Sequence, residues 1–453
     1  MPHPTPEDLE GFVLGRLSPV EMREVARHLL AGCPQCQEVT AGLWTPADVF
    51  EDPQTLTLVY EEIHDGYDEV LDRVFEKILA TEARLTDQRS LGRKLCEELM
   101  QCPAERRHLL IGNSQRFQSR ALCERLIEEC HEAFFDDPRR ATELAQLAVL
   151  VADRLETGDC DGEVLASLQI RAWAHLGNAL RINSDLVGSE QVFAKTESLL
   201  NGNRIPPIDR ARVLSFMGSG HMAHHRYADA LQTFDRAATI YKKLGQWSLL
   251  GRTLLQKSLV CSEVGDDEGE MRYLRRALDL IDPQADPRVF LAARHNLIHT
   301  LYERGRVREA FALLYHTRPL YLKAGDRISL LKLRWLEGLV AFGLQRIDQA
   351  EAAFREVREA FVEIGLGYDA ALSSLDLASV YILQGRSADV SRVAEETLAI
   401  FQAHNNHREA IAALLVFSSA ARINRAGIDL VREVSSFLKR ARNNPDLRFP
   451  VPS

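Results

Sequence analysis

A pattern of apolar and small residues recurs at steps of 40 residues over most of this chain, and it constrains the fold more than any other feature. Steps of 40 from Ala230 reach mostly small or apolar residues: Glu270, Ala310, Ala350, Val390 and Leu430. Four residues further on stand Phe234, Leu274, Leu314, Phe354, Ala394 and Val434. Eleven residues further on stand Tyr241, Ile281, Tyr321, Phe361, Phe401 and Ala441. Twelve residues before the same positions stand mostly small residues: Gly218, Ser258, Ile298, Gly338, Ala378 and Ser418.

Each part of this pattern has a structural reason. Apolar residues spaced three, four and seven apart form one buried stripe along a helix. Small residues let two antiparallel helices approach closely, and Gly265, Gly305 and Gly385 suit the left-handed residue that ends a helix. One helical hairpin cannot bury its stripe alone, so neighbouring hairpins stack. We therefore predict about eight hairpins over residues 117–442, repeating every 40 residues after residue 207, with the first and last divergent.

The repeats resemble the tetratricopeptide repeat (TPR) family. The family's signature is closely matched by Gly177, Asn178 and Ala179, followed by Phe193. A second segment that matches it extends from Gly218 to Phe234. The period of 40 exceeds the family's usual 34, so each helix is about one turn longer. The resemblance implies an all-α, right-handed solenoid of helical hairpins that binds partners. The alternative is an array that serves only as a scaffold, with no ligand of its own.

Composition places the chain in an ordinary globular class, with 46% hydrophobic and 26% charged residues. No apolar stretch reaches about 18 residues, so we expect no transmembrane helix. Residues 1–11 are acidic and polar, unlike a secretory signal, and we expect a cytoplasmic protein. Six cysteines are scattered without framework spacing and are expected to be small core residues: Cys96, Cys102, Cys123, Cys130, Cys160 and Cys261.

The net charge of −10 is concentrated at the front of the chain. Residues 1–45 carry a net charge of −3, and residues 46–76 carry ten acids against one base, a net charge of −9. The remaining 377 residues carry +2, which argues against a nucleic-acid groove along the repeats. The acidic segment is either a solvated helix face with apolar residues turned inward or a docking surface for a basic partner.

Two or three short helices are predicted before the acidic segment, over residues 8–17, 19–30 and 33–43. Ser18 is a good N-cap, with Pro19 at the first helical position. His28 then falls in the last turn of one helix, while Cys33 and Cys36 fall at the start of the next. One imidazole and two thiolates therefore meet near a common point.

Zinc takes four such ligands in a tetrahedron, and C-x-x-C is its common chelating pair. The fourth ligand must come from elsewhere, and His3 is the candidate. A module of about 40 residues has little core of its own, so a structural metal would supply stability. We therefore predict a zinc site formed by His3, His28, Cys33 and Cys36.

These residues resemble the zinc-binding anti-sigma domain family. That family combines an N-terminal His or Cys, a His-x3-Cys-x2-Cys element across two helices, and a Leu-Gly-x-Leu-Ser/Thr-Pro segment, seen here from Leu14 to Pro19. The spacing from His28 to Cys33 is one residue longer than usual. The resemblance implies zinc binding and a sigma factor as partner. Two alternatives stay open: a hairpin that lost the metal, with Cys33 and Cys36 as ordinary thiols, and a redox pair, which no surrounding βαβ pattern supports.

Other constellations give weaker signals. His295, His299 and Glu303 share one face of a predicted helix, but the metalloprotease motif needs Glu where Asn296 stands. His221, His224 and His225 end another predicted helix and are expected to face a groove or solvent. No phosphate-binding loop, nucleophile elbow or dinucleotide fingerprint occurs in the sequence. We therefore expect no enzyme.

The sequence predicts four regions: a zinc module at 1–45, an acidic helical connector at 46–116, a TPR-like array at 117–443 and a tail at 444–453. The first functional hypothesis is a non-enzymatic regulator whose module sequesters a sigma factor while the array binds a second partner. The second is a scaffold that holds an effector protein such as a protease, with a purely structural zinc. A metalloenzyme built on His295 and His299 is a distant third.

Overall fold

A computed structural model of the chain describes residues 3–13, 16–30, 33, 35–36, 39, 67–134, 137–155, 162–324, 326–403, 408–441 and 447–449. All regular secondary structure in these ranges is helical, which confirms the all-α prediction. None of the helices described is long and apolar enough to cross a membrane. The chain divides into two compact units, Met1–Gln101 and Cys102–Ser453.

The first unit contains α1 (Pro6–Val13), α2 (Pro19–Leu30) and α3 (Tyr67–Met100). α1 begins two residues earlier than predicted because Thr5 caps it: the Thr5 backbone N–H donates to Asp8 at 2.8 Å, and the Asp8 N–H donates to Thr5 Oγ1 at 3.1 Å. α2 has the predicted bounds.

Of the third predicted helix at 33–43, residues 35, 36 and 39 are described and are helical. Its other residues apart from Cys33, and residues 46–66 of the acidic segment, lie outside the described residues. Val74, one of the apolar residues of that segment expected to turn inward, is exposed on α3, so that expectation is wrong for Val74.

The second unit opens with α4 (Ala104–Asn113) and a short 3₁₀ turn, Gln115–Phe117. Eight helical hairpins then follow in the described residues, the number that the sequence predicts: α5 (Arg120–Ala133) with α6 (Pro138–Ala152), α7 (Gly162–Ile182) with α8 (Leu186–Gly202), α9 (Pro207–Ala223) with α10 (Tyr227–Lys243), α11 (Trp247–Val264) with α12 (Asp267–Leu280), α13 (Pro287–Glu303) with α14 (Val307–Ala324), α15 (Arg327–Gly343) with α16 (Ile347–Glu363), α17 (Gly367–Leu383) with α18 (Ser387–Ala403), and α19 (Arg408–Arg422) with α20 (Ile428–Ala441).

The predicted 40-residue period is confirmed. The first helices of the last six hairpins begin at residues 207, 247, 287, 327, 367 and 408. The aromatic side chains of the predicted stripe, such as Phe234 and Phe354, are fully buried. A Cβ atom built on Gly218 would lie 2.6 Å from the Phe234 ring, and one on Gly338 would lie 2.7 Å from the Phe354 ring. The small residues therefore allow the close helix approach that the sequence indicates.

The turns inside the seven hairpins from α7–α8 onward each use a left-handed residue. Gly265 and Gly305 have φ of +76° and +69°, as the sequence predicts. His225 and Gln345 occupy the equivalent positions with φ of +57° and +62°, although neither is glycine. The repeat geometry therefore imposes the turn even where the residue disfavours it.

The last hairpin diverges, as predicted, because α20 packs against α17 as well as α19. Lys439 Nζ lies 2.8 Å from Glu303 Oε1 and 3.5 Å from His299 Nε2, both in α13. Phe449, in the predicted tail, packs on Phe437 with 4.9 Å between ring centroids. We call the surface formed by the first helices of the hairpins the first-helix face. α20 therefore contacts this face at α13 and α17.

Candidate metal centre

The four predicted ligands come together at one end of the N-terminal helices. His3 precedes α1, His28 lies in the last turn of α2, and Cys33 and Cys36 follow it. Their nearest nitrogen and sulfur atoms all lie within 4.8 Å of one another. His3 Nδ1 is 3.4 Å from Cys33 Sγ and 3.7 Å from Cys36 Sγ. The cluster can therefore bind a metal ion.

The geometry fits a tetrahedral zinc site. Zinc bonds of about 2.3 Å to sulfur and 2.0–2.1 Å to nitrogen place neighbouring ligand atoms roughly 3.5 Å apart. The two observed nitrogen–sulfur distances, 3.4 and 3.7 Å, lie on either side of that value. His28 Nε2 is buried without a hydrogen-bond partner, and its ring centroid is 5.0 Å from that of His3. A buried, unpaired nitrogen is costly, and a metal ion would satisfy it.

The local chemistry distinguishes the two thiols. The backbone N–H of Cys36 lowers the pKa of Cys33 below its ordinary value, while burial raises the pKa of Cys36. Few apolar side chains support the cluster: Leu9, Val25 and Cys36 are buried, with Phe12 and Leu17 partly buried beside them. Such a small core leaves room for a metal ion to add stability.

The histidines of the array have other contacts. His295 Nδ1 lies 3.3 Å from the Tyr321 hydroxyl, and His299 Nδ1 lies 3.4 Å from Glu303. Burial lowers the pKa of His295 to about 3 and that of His299 to about 4. Within the described ranges, only the N-terminal cluster brings three or more potential metal ligands together. His225 bonds to the Tyr227 hydroxyl at 2.8 Å.

One set of charged residues belongs to none of the sequence motifs described above. Arg171 in α7, Arg212 in α9 and Arg252 in α11 occupy the same position in three successive first helices. Each stands six residues before the small residue of its helix: Gly177, Gly218 and Ser258. Aligning the repeats on those small residues would have found the arginines.

Comparisons with known proteins support the fold. No protein-family model matches the sequence, and no curated protein matches it either. Solved structures do match. A Rap protein complexed with competence and sporulation factor is 11% identical, with a TM-score of 0.52, over 71% of this chain and 87% of the other. Aspartyl phosphate phosphatase F from Bacillus subtilis is 14% identical, with a TM-score of 0.50, over 89% of this chain and 96% of the other.

The apo form of the quorum sensor NprR from B. thuringiensis is 12% identical, with a TM-score of 0.50, over 66% of this chain and 80% of the other. At these identities the likeness concerns the fold alone. The chain therefore has a TPR-type helical repeat fold, as the sequence predicts.

Proposed function

We propose that this chain is a non-enzymatic regulatory protein in which a zinc-bound N-terminal module and a partner-binding repeat array are joined. The clustering of His3, His28, Cys33 and Cys36 within 4.8 Å carries the proposal, because it matches the donor set of a structural zinc site. The Rap protein of similar fold holds a competence and sporulation factor, which supports a ligand-binding role for the array.

Zinc content tests the module directly. Full-length protein purified without chelator should contain close to one zinc per chain by elemental analysis. The double variant Cys33→Ser/Cys36→Ser should lose the metal, whereas Cys102→Ser, a thiol outside the cluster, should retain it. His3→Ala should weaken zinc binding without abolishing it if His3 is the fourth ligand. Metal-free wild-type protein under these conditions would refute the zinc assignment.

Zinc loss should affect the module and spare the array. Hydrogen exchange in the double variant should accelerate over residues 1–45, because the small core around Leu9 and Val25 loses its metal support. Exchange in the hairpins should stay unchanged, since they belong to the second unit and stacked repeats couple mainly to the repeats beside them. Faster exchange throughout the array would contradict the proposed domain division at residues 45, 116 and 443.

We further propose a sigma factor as the partner of the module, on the strength of the anti-sigma resemblance and the net charge of −12 on residues 1–76. An acidic surface attracts a basic partner and raises its association rate, and salt screens this field over about 8 Å at physiological strength. A pull-down with full-length protein should capture a sigma factor, and Cys33→Ser/Cys36→Ser should abolish that capture. Association of the purified pair should slow as salt rises.

The scaffold hypothesis gives a different result in the same pull-down. An effector protein should then be captured equally by the wild type and by the Cys33→Ser/Cys36→Ser variant, and no sigma factor should appear. That outcome would refute the anti-sigma role and leave the zinc purely structural.

A further inference from the structure

The longest helix in the described part of the chain, α3, carries an apolar stripe in its sequence. Leu71, Ile78 and Leu85 stand seven residues apart, and Val74 stands three residues after the first of them. Apolar residues at alternating steps of three and four lie on one side of a helix, and a repeat of seven is the spacing of a coiled-coil seam. α3 therefore has the sequence pattern of a helix that packs along one side against another helix.

The C-terminal end of this stripe is buried. The same heptad positions continue to Gly92, Leu95 and Leu99. Leu95 and Leu99 are 2% and 0% exposed, and Gly92 is buried as well. Gln88, one turn earlier at the next seam position, is half-buried. The stripe therefore faces a protein core at this end of α3, as a packing seam should.

The rest of the stripe lies in the open. Val74 is 46% exposed and Leu85 is 41% exposed. Among the side chains described between residues 73 and 91, only Leu79 and Gln88 are half-buried, and all the others are exposed. These residues form about five turns of helix. Helices in proteins draw most of their stability from packing, and isolated helices are marginal in water, so this part of α3 calls for a partner.

The charges of α3 indicate which partner fits. Residues 67–80 have a net charge of −2, from four acids and two bases: Asp68, Glu69, Asp72, Glu76, Arg73 and Lys77. Residues 81–94 have a net charge of +2, from four bases and two acids: Arg84, Arg89, Arg93, Lys94, Glu82 and Asp87. A uniformly acidic or basic partner would be repelled by one half of the helix. A second copy in antiparallel orientation instead places the acidic half of each helix on the basic half of the other.

We propose that α3 pairs with α3 of a second copy of this chain, as an antiparallel two-helix coiled coil over residues 71–88. In such a pair the two seam positions of opposite helices alternate, so Val74 of one copy packs on Leu85 of the other. Twofold symmetry repeats this contact, and both exposed residues of each copy are covered. The inference goes beyond the proposed function, because it concerns a helix outside the zinc module and the repeat array.

The size of the contact sets the strength of the dimer. A coiled coil of 18 residues is about 27 Å long. Thr81 and Gln88 occupy two of its seam positions, so the seam is only partly apolar. Such a contact lies at the small end of specific interfaces, and we expect a reversible dimer with a dissociation constant of roughly 1–100 μM.

Sedimentation velocity of full-length protein at increasing concentration measures this dimer. Leu85→Glu should raise the dissociation constant at least about a hundredfold, because each dimer would then bury two carboxylates against Val74. Ala83→Glu is the matched control: it adds the same charge to the same helix at an exposed position opposite the seam. The control should change the dissociation constant less than about threefold. Circular dichroism checks that both variants are folded.

Cysteine variants test the orientation without adding charge to the seam. Val74→Cys and Leu85→Cys, mixed in equal amounts and oxidised, should form a disulfide-linked dimer. Each variant oxidised alone should give no more linked dimer than the wild type. The reason is that an antiparallel pair brings position 74 to position 85, while two copies of either position lie about 16 Å apart, too far for a disulfide.

Three outcomes would overturn the inference. Wild-type protein that stays monomeric at roughly 100 μM would refute it, and slow hydrogen exchange over residues 73–91 in that monomer would show that other residues of the same chain cover the stripe. Equal weakening in Leu85→Glu and Ala83→Glu would place self-association outside the seam. Linked dimers from each cysteine variant alone would show a parallel pair. Zinc content and sigma-factor capture are measured separately, so the proposed function stands or fails independently of these results.

Discussion

The close packing at Gly338 gives a prediction whose size follows from the structure. A Cβ atom at this position would lie 2.7 Å from Phe354 Cε1, 2.9 Å from Phe354 Cδ1 and 3.1 Å from the Cβ of Ala353. Phe354 is fully buried between α15 and its partner α16, so its ring has little room to move. Any side chain at Gly338 must therefore separate the two helices or displace the ring.

The expected loss of folding stability is the difference between two opposing effects of the added side chain. Replacing glycine inside a helix by alanine gains roughly 0.5–1 kcal/mol of folding free energy. Overpacking a tight core costs about 1–3 kcal/mol. We therefore expect Gly338→Ala to lower the free energy of unfolding by about 1 kcal/mol, and Gly338→Leu, which adds three more carbons, by about 1–3 kcal/mol or more.

Urea unfolding followed by far-UV circular dichroism measures the loss, and hydrogen exchange locates it. Faster exchange should be concentrated in α15, α16 and the hairpins beside them, because stacked repeats couple mainly to adjacent repeats. Gly112→Ala is the matched control: the nearest outside atom to its added Cβ is 3.9 Å away, on Arg154. It should be neutral or stabilising by up to about 1 kcal/mol.

A double variant tests the assigned contact. Replacing the ring by a smaller side chain in Phe354→Leu should reduce the destabilisation caused by Gly338→Ala. We expect a coupling free energy of about 0.5–3 kcal/mol between the two substitutions. If Gly338→Leu leaves stability unchanged, or if the two substitutions are additive, the packing argument is wrong.

Further predictions concern the turns, the last helix and the response to pH. Gln345→Gly should stabilise the array by about 1 kcal/mol, seen as a higher urea midpoint, because Gln345 is exposed with φ of +62°. Lys439→Glu should repel Glu303 and speed hydrogen exchange in α20, with a cost of up to about 1 kcal/mol, and adding Glu303→Lys should restore slow exchange. Burial lowers the pKa of His175 from 6.5 to about 3 in the folded chain. Below pH 6.5 the unfolded chain therefore binds a proton that the folded chain does not, and the free energy of unfolding decreases as the pH falls. The dependence of the free energy of unfolding on pH has a slope of at most about 1.4 kcal/mol per pH unit from this residue. His175→Phe, which introduces the residue found at the equivalent position 216, should remove that contribution.

The metal cluster shows how far the sequence can predict a site. Spacing placed His28, Cys33 and Cys36 near one point, because a helix end and the following turn keep them within a few residues of one another. His3 could be named only as a candidate, since 25 residues separate it from His28. The structure brings His3 Nδ1 to 3.4 Å from Cys33, because Thr5 caps α1 and fixes the chain just after His3.

Contacts between residues that are close along the chain could be predicted from the sequence alone. In three hairpins a glycine of the first helix and a phenylalanine of the second are 16 positions apart and in contact: Gly177 and Phe193, Gly218 and Phe234, and Gly338 and Phe354. This spacing encodes the hairpin. Helix starts at steps of 40 follow from the same periodicity.

Contacts between distant parts of the chain became visible only in the folded structure. Lys439 contacts Glu303 across 136 positions. A repeating pattern specifies how each hairpin packs on the next, and small rotations then add up over several repeats. Whether distant surfaces meet depends on the accumulated rotation over several repeats, which cannot be predicted from any single repeat of the sequence.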